Sequence, residues 1–534
     1  MAQPYADGST TGLSGACDPG TLLEPASSPG AVPALTVLFH PDVRRVGEWA
    51  VLHESLLGRE TLVSRLHPEF SAPGRIAGEP LADRYLSRQP LRFGPAAGGG
   101  VILSIGESRT RVEVDGAAVL GSRELSAGEV ERGVVLELAG RIVLLLHRVR
   151  NVYAGPVERF GLIGESGRLA RVRCDIRRVA DLDVPVLLRG ETGTGKELVA
   201  RAIHDASARG SGPFVAVNLG ALPSSLVASE LFGAVKGAFT GSVQSQEGYF
   251  RRAHGGTLLL DEIGEASHEV QVMLLRVLET REVHAVGSQI PRRVDVRVLA
   301  ATDADLEKKV DAGGFRAPLL HRLGGYEIWL PPLRERREDI GRLLVHFLRA
   351  DLAALGEAHR LCEELWVSPE LVARLARYEW PGNVRQLRNV ARQLVIGSCG
   401  QPRLEAGPAV ERLLAGTSSG NLTQDAVSQA VALPAVGSRP DRRKPSAVSE
   451  EELLAALRAH RWDLQATAAH LRVSRPSLYA LIESSSRARK AGDLSSDEIV
   501  RCHQECGGDL EAMVDRLEVS RKALARRIRE LKLA

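Results

Sequence analysis

The sequence predicts a multidomain chain: an N-terminal β-sandwich, a central α/β domain with a helical lid, and an all-α C-terminal part made of two tandem copies of one unit. Three observations carry this. Residues 34–150 consist of short apolar runs separated by glycines, the texture of closely spaced strands, with weak helical periodicity. From Val186 to Asp205 an apolar strand enters a glycine-rich loop, a lysine and a helical stretch, and strands at Phe214, Leu258 and Val296 alternate with helical runs as in a parallel sheet. Near the C-terminus Leu471–Leu478 matches Leu517–Leu524 at an offset of 46 positions, 517 minus 471.

The 534 residues suffice for three or four domains. A formal net charge of +3 excludes a polybasic binder as a whole, so nucleic-acid affinity has to come from a local patch. Cys17, Cys174, Cys362, Cys399, Cys502 and Cys506 lack the spacing of a disulfide framework and suit reduced cytosolic thiols. Cys502, His503 and Cys506 can share one helical face, but a fourth metal ligand is missing nearby. Met1–Tyr5 has neither a basic region nor an apolar core, and no apolar run reaches membrane-spanning length. The expectation is a soluble, cytoplasmic protein with no membrane partner.

In chain order, residues 1–33 are rich in Gly, Ser, Pro and Ala and read as a disordered leader. Strand candidates in 34–150 are Leu35–Phe39, Trp49–Leu52, Val101–Ile105, Arg111–Val114, Val134–Leu138 and Arg141–His147. Gly58-Arg59, Tyr85-Leu86-Ser87-Arg88 and Asp115-Gly116 resemble the signatures of a forkhead-associated (FHA) domain, a phosphothreonine-reading sandwich. That resemblance implies a phosphate paired with Arg59 in fork geometry, a hydroxyl donated by Ser87, and help from Arg88. Gln89 and Pro90 follow where a histidine is usual, and Asp115 stands where asparagine is common. The plain alternative is that Arg59 and Arg88 are solvated surface charges.

The central loop is Gly190-Glu191-Thr192-Gly193-Thr194-Gly195-Lys196-Glu197. Its glycines let backbone N–H groups approach phosphates, the helix start offers positive dipole, and Lys196 reaches the outer phosphates, which points to ATP. Glu197 occupies the place where Ser or Thr usually touches Mg2+, so the metal leans on other ligands. The apolar strand Gly255–Leu260 ends in Asp261 and Glu262. Asp261 would hold the magnesium and Glu262 would polarise the attacking water.

Between these motifs, Gly237, Ala238, Phe239, Thr240, Gly241 and Ser242 form a stretch that displays one aromatic among small residues. The region from about Gly155 to Gly397 resembles the AAA+ domain of the bacterial sigma-54-dependent activators, or enhancer-binding proteins. The Gly237–Ser242 stretch is similar to the loop by which they engage sigma-54. Ser242 replaces the family's alanine and Ala234-Val235 its His-Glu, while Phe239 and Thr240, the contact pair, are intact. The resemblance implies further roles. Phe160–Ser166 contacts the adenine, and Asn218 holds the catalytic Glu262. Thr302 and Asp303 form the phosphate sensor, with Asp303 in place of asparagine. Arg316 and Arg322 are paired arginine fingers that reach a neighbour's nucleotide, with Pro318 in place of an acidic residue. Leu330–Arg336 opens the lid, and Arg385 is the second sensor. The implied span is 155–397, with the α/β part to about 325 and the lid to about 397.

Residues 398–448 read as a linker, rich in Ser, Gly, Ala and Pro from Ala415 to Val448. The repeat occupies 449–486 and 494–534. In each copy a helix precedes a short turn ending in Ser, which can cap the next helix. This is helix-turn-helix logic, and both copies resemble the Fis-type reader that ends most members of the family. The second copy carries Arg521, Lys522, Arg526, Arg527, Arg529 and Lys532 and is the better DNA candidate, while the first offers Arg475, Ser477 and Tyr479.

The sequence thus reads as an ATP-driven activator of sigma-54 RNA polymerase, bound to upstream enhancer DNA. It is gated by a threonine-phosphorylated partner in a two-component-like manner and assembles from dimers into a hexamer. Two rivals stand beside it: an AAA+ DNA-binding regulator that does not remodel sigma-54, and a phosphopeptide-binding scaffold with nucleotide-dependent oligomerisation.

Overall fold

The structure, a computed structural model, describes residues 31–54, 58–72, 75, 77–149, 158–237, 245–288, 290–362, 366–398, 401, 403–415, 449–460, 462, 467, 470–471, 478, 481–482, 485, 494–506, 509–517, 519, 524 and 527–528. The chain divides into two units, Met1–Val427 and Ser428–Ala534.

The first unit begins with strands β1 (Val32–Phe39), β2 (Trp49–Val51), β3 (Thr61–Val63), β4 (Leu91–Pro95), β5 (Val101–Ser104), β6 (Val112–Val114), β7 (Ala117–Ala118), β8 (Ser122–Leu125), β9 (Val134–Leu138) and β10 (Ile142–Val149). They form two antiparallel sheets, β2-β1-β10-β9-β6-β7 and β3-β4-β5-β8. Alternation sets the inner faces. In β5, Val101 and Leu103 point inward, and in β6 Val112 and Val114 do. They meet Leu35, Val37, Leu91 and Phe93 in one core, which makes the pair a sandwich. A short helix, α1 (Ala127–Arg132), starts at a reciprocal cap between Ser126 and Glu129.

β1, β9 and β10 lack alternation because both of their faces are covered. Leu136, Leu144 and Leu146 face the sandwich core. Leu38, Phe39, Val135, Val143 and Leu145 instead join a second core with the lid. Fully burying such a side chain is worth about 1.5–3 kcal/mol, so the five together contribute on the order of 10 kcal/mol before ordering costs.

The central domain comprises α2 (Gly167–Ala180), β11 (Val186–Arg189), α3 (Lys196–Asp205), β12 (Phe214–Asn218), α4 (Ser224–Phe232), α5 (Tyr249–Arg252), β13 (Thr257–Asp261), α6 (His268–Thr280), the hairpin β14 (Glu282–Val283) and β15 (Arg292–Arg293), β16 (Arg297–Thr302), α7 (Leu306–Asp311), α8 (Ala317–Leu323) and β17 (Tyr326–Trp329). Its sheet is parallel in the order β12-β13-β16-β11-β17, and apolar residues of these strands enter cores on both faces. The α/β part therefore reaches Trp329, one strand beyond the expected end near 325, because β17 pairs with β11 along Val186–Arg189.

The lid holds α9 (Ile340–Ala354), α10 (Pro369–Arg377), α11 (Asn383–Gly397) and α12 (Pro408–Ala415). α12 lies in residues expected to be linker. Val410 and Leu414 sit in the lid core, and Arg374 grips Glu411 through bonds of 2.6 and 3.0 Å, so the lid continues to at least Ala415.

The second unit carries α13 (Glu450–Ala459), α14 (Ser496–Glu505) and α15 (Leu510–Leu517). α13 and α14 stand at the repeat offset of 46, and each is capped by the preceding serine, Ser449 onto the Glu452 N–H and Ser495 onto the Glu498 N–H. Equivalent residues share one core: Leu453 with Ile499, Ala456 with Cys502, Leu471 with Leu517 and Leu478 with Leu524. The copies thus fold on each other.

Candidate functional site

Register brings the separated motifs to one edge. Asn218 stands opposite Asp261 and Arg189 opposite Thr302, so the carboxyl ends of β12, β13, β16 and β11 line up where ligands of parallel sheets bind. The glycine loop follows β11, and its first N–H, of Gly190, donates to the Thr302 carbonyl at 3.3 Å.

The loop's glycines are required at two points. Gly193 has a φ of +81°, and a Cβ there would lie 2.4 Å from the Gly382 carbonyl oxygen of the lid. Gly195 has a φ of +107° immediately before α3. Lys196, on the first turn of α3, donates to the carbonyls of Gly190 at 2.7 Å and Glu191 at 3.3 Å. Burial lowers its pKa from the ordinary lysine value, opposed by the nearby Asp303 and Asp261 carboxylates. Thr194 is buried and its hydroxyl donates to the Glu191 carbonyl at 2.8 Å. Glu197 is exposed on the same first turn.

The two carboxylates after β13 have distinct settings. Asp261 Oδ1 accepts from the Glu262 N–H at 3.0 Å. Glu262 has a φ of +54°, an uncommon conformation for a non-glycine residue that concentrates at functional sites. Its carboxylate lies over Gly220: a Cβ there would be 2.0 Å from Glu262 Oε2 and 3.4 Å from Asn218 Oδ1. The Asn218 Oδ1 itself accepts from the Ala221 N–H at 3.0 Å. Asn218, Gly220 and Glu262 are therefore neighbours, and Gly220 was not singled out in the sequence because no motif marks it.

Asp303, in the sensor position, is reached by Thr192, whose hydroxyl donates to Asp303 Oδ2 at 2.5 Å. Thr302 is buried and its hydroxyl accepts from the Ala304 N–H at 3.0 Å. From the lid, the Arg385 N–H donates to the Gly193 carbonyl at 3.3 Å.

Sequence reasoning missed the lid's grip on Glu191. Arg334 makes two bonds to its carboxylate, 2.6 and 2.9 Å, and Asn383 Nδ2 donates to Glu191 Oε2 at 3.0 Å and to the Thr192 carbonyl at 3.1 Å. The Arg334 guanidinium holds the Glu191 carboxyl below the usual carboxylate range. Arg334 lies within Leu330–Arg336, noted as the lid opening, and Asn383 two residues before Arg385, but neither position carries a local signal of its contact with Glu191.

Arg316 precedes α8, is half-buried, and its N–H donates to Gln271 Oε1 at 2.9 Å. Arg322, on α8, is exposed and donates to the Leu278 carbonyl at 3.1 and 3.3 Å. Neither guanidinium bonds to the loop, Asp261 or Glu262 among the described residues.

In the sandwich, Arg59 is exposed and 3.9 Å from Glu54. The Ser87 hydroxyl accepts from the Gln89 N–H at 3.0 Å, and its N–H donates to Thr110 Oγ1 at 2.9 Å. Arg88 is exposed. No hydrogen bond among the described residues joins Arg59 to Ser87 or Arg88, while the Arg65 N–H donates to the Ser87 carbonyl at 3.2 Å, bringing a further arginine beside that turn.

Gly237 is described, with a φ of +82°; Ala238, Phe239, Thr240, Gly241 and Ser242 lie outside the described residues, as do Arg475, Ser477, Tyr479, Arg521, Lys522 and Arg526. Arg527, half-buried, is described. Among the described residues no group of three or more His, Cys, Asp and Glu side chains could hold a metal ion, and no helix is long and apolar enough to cross a membrane.

Residues 162–329 match the family described as the Sigma-54 interaction domain, and residues 334–420 match the AAA+ ATPase lid domain. The central segment is thus an AAA+ ATPase module of the sigma-54 interaction class. The chain is 48% identical over 240 residues to the DNA-binding transcriptional regulator NtrC of Escherichia coli, covering 45% of this chain and 50% of that protein. It is 47% identical over 258 residues to the C4-dicarboxylate transport transcriptional regulatory protein DctD of Pseudomonas aeruginosa, covering 48% and 55%. To the anaerobic nitric oxide reductase transcription regulator NorR of Salmonella agona it is 46% identical over 241 residues, covering 45% and 47%. The chain spans about half the length of the curated relatives it matches.

Proposed function

We propose that this chain is an ATP-hydrolysing activator of sigma-54-dependent transcription. The observation that carries this is the convergence of the glycine loop, Lys196, Asp261, Glu262 and Asn218 on one sheet edge, within a segment matching the Sigma-54 interaction domain.

The loop and Lys196 bind the phosphates of ATP, and Arg385 reaches the loop from the lid. The donor set fits Mg2+: Asp261 would hold the ion together with phosphate oxygens, and the ion would supply charge neutralisation for phosphoryl transfer. Glu262 orients and polarises the attacking water, with Asn218 beside it restraining the carboxylate. Thr302 and Asp303 sense the phosphate, and Thr192 ties Asp303 to the loop. Arg316, just before α8, and Arg322, on α8, serve a neighbouring subunit's nucleotide, so turnover belongs to a ring of dimers closing to a hexamer.

Hydrolysis moves Gly237–Ser242, and with it Phe239 and Thr240, against sigma-54. The C-terminal copies hold the protein on upstream DNA through Arg521, Lys522, Arg526 and Arg527, with Arg475, Ser477 and Tyr479 as a second set. The N-terminal sandwich is FHA-like and reads a threonine-phosphorylated partner through Arg59, Ser87 and Arg88. These activities place the protein in the cytoplasm.

Purified protein is expected to hydrolyse ATP in the presence of Mg2+, and Glu262→Gln is expected to abolish turnover while ATP is still bound. Equal turnover in wild type and Glu262→Gln contradicts the catalytic assignment. Asp303 favours a second reading, in which the module hydrolyses ATP without remodelling sigma-54, since a carboxylate in place of the family's asparagine would disfavour a nearby phosphate and weaken the sensing that couples hydrolysis to the loop.

A further inference from the structure

We propose that the N-terminal sandwich acts on the nucleotide loop as a rigid arm of the lid, with Glu137 and Arg377 as positioning residues and the turn Trp380–Asn383 as the joint that passes the effect to Glu191 and Thr192. The proposal rests on the reading of the loop as the ATP site.

Contact between sandwich and lid is too close to be a tether. A Cβ on Gly341, in the first turn of α9, would lie 2.4 Å from the Leu38 carbonyl oxygen of β1. Beside it, Arg342 Nη2 donates to the Gly47 carbonyl at 2.8 Å, and a Cβ on Gly47 would fall 1.9 Å from Arg342 Nε. Side chains of β1, β9 and β10 complete the lid's own apolar core.

Within this contact, among the described residues, a charged pair crosses from sheet to helix. Arg377, the last residue of α10, donates through Nη1 to Glu137 Oε1 of β9 at 3.2 Å. The Glu137 side chain is only 7% exposed, so without Arg377 it keeps a buried carboxylate with no compensating charge. The guanidinium also lies on the β6–β7 turn, 3.0 Å from where a Cβ of Gly116 would stand.

Six residues after Arg377 the chain reaches the loop without a slack element between. Trp380 is fully buried with a φ of +49°, its indole N–H donates to the Leu375 carbonyl at 2.9 Å, and its ring meets Tyr378 edge-on at 5.1 Å. Gly382 then presses its carbonyl against Gly193. Asn383, also fully buried, has a φ of +52°; its Oδ1 accepts from the Leu333 N–H at 2.8 Å, and its Nδ2 grips Glu191 and the Thr192 carbonyl. Packed, discretely arranged groups of this kind are what carries energetic coupling.

Two consequences follow. A ligand that shifts the β6–β7 edge or β9 changes how tightly the lid holds the loop, and nucleotide on the loop changes the affinity of that ligand by the same factor.

The test uses the full chain: titration with a fluorescent ADP and steady-state ATP turnover for wild type, Glu137→Gln, Arg377→Gln and the double variant. Each single change should weaken ADP binding about 3- to 30-fold. The Michaelis constant for ATP should rise while saturated turnover stays within about twofold, and the double variant should be no weaker than either single, as residues acting in series require. ADP binding like wild type in both singles overturns the proposal, as does a double variant whose loss is the product of the two. Glu137→Gln keeps the side-chain shape and decides alone if Arg377→Gln does not fold. Wild type that fails to bind ADP overturns the ATP-site reading together with the proposal, whereas bound wild type with unchanged variants overturns the relay only.

Discussion

Gly220→Ala tests whether the position of Glu262 sets the rate of hydrolysis. A Cβ at residue 220 would stand 2.0 Å from Glu262 Oε2 and 3.4 Å from Asn218 Oδ1. Ordinary contact begins at 3.4 Å, so the carboxylate oxygen has to retreat by about 1.4 Å, the difference between those two distances. The displaced atom is the end of a side chain, and φ at Gly220 lies outside the left-handed region, so the backbone tolerates alanine. Loss of unfolded-chain freedom even favours the fold by about 0.4–1 kcal/mol. A misplacement of about 1 Å in a catalytic group costs about 10²-fold, equivalent to about 2.7 kcal/mol in the barrier. Phosphate release at saturating ATP should therefore fall by about two orders of magnitude, with ADP affinity unchanged and the thermal midpoint level or raised by about 1–4 °C. Turnover within about threefold of wild type refutes the reasoning, since it means that Glu262 is not held where Gly220 leaves room for it.

Other perturbations read other parts of the molecule. His147 in β10 is buried beside the Thr36 hydroxyl at 2.7 Å, and burial lowers its pKa from 6.5 to about 4. The unfolded chain therefore takes up a proton between pH 6.5 and 4 that the fold resists, and the sandwich should lose up to about 3 kcal/mol as pH falls through that window, with nothing further from this group below it; urea melts at stepped pH check this, and His147→Gln should remove that share of the dependence. Arg334→Ala removes the clamp on Glu191 and should weaken ADP binding several-fold in a titration, while costing no more than about 1 kcal/mol in stability because both partners are a third or more exposed. Unchanged ADP affinity would show that the lid does not shape the loop through that pair. Leu457→Ala, in the core shared by the two C-terminal copies, should cost about 2–5 kcal/mol and leave one cooperative transition for Ser428–Ala534; two separate transitions contradict a common core.

The sequence made the chemistry of the central domain legible because glycine loops and strand-end carboxylates are local patterns, and parallel register then places Asn218, Asp261 and Thr302 on one edge. Gly220 and Asn383 were illegible for the opposite reason. Their importance comes from what lies across from them in space, the Glu262 carboxylate and the Glu191 side chain, which are 42 and 192 residues away (262 minus 220, 383 minus 191). The apolar run Ile142–Leu146 did carry a sign of two-sided burial, since it does not alternate, yet nothing in it names the lid as the second partner. The same holds for Asp115-Gly116, which reads as a signature of the sandwich alone until Arg377 is seen lying on Gly116. Pro408–Ala415 was read as linker because it borders a long Ser-, Gly- and Ala-rich stretch, and the packing of Val410 and Leu414 with the Arg374–Glu411 pair distinguishes it.

The most direct test of the account is capture of sigma-54. Wild-type protein loaded with ADP–aluminium fluoride, a mimic of the hydrolysis transition state, is mixed with purified sigma-54 and resolved by size, with Phe239→Ala in parallel. The account predicts a stable complex for wild type that is lost in Phe239→Ala. ATP hydrolysis without any such complex contradicts it, and leaves an AAA+ ATPase that acts on another target.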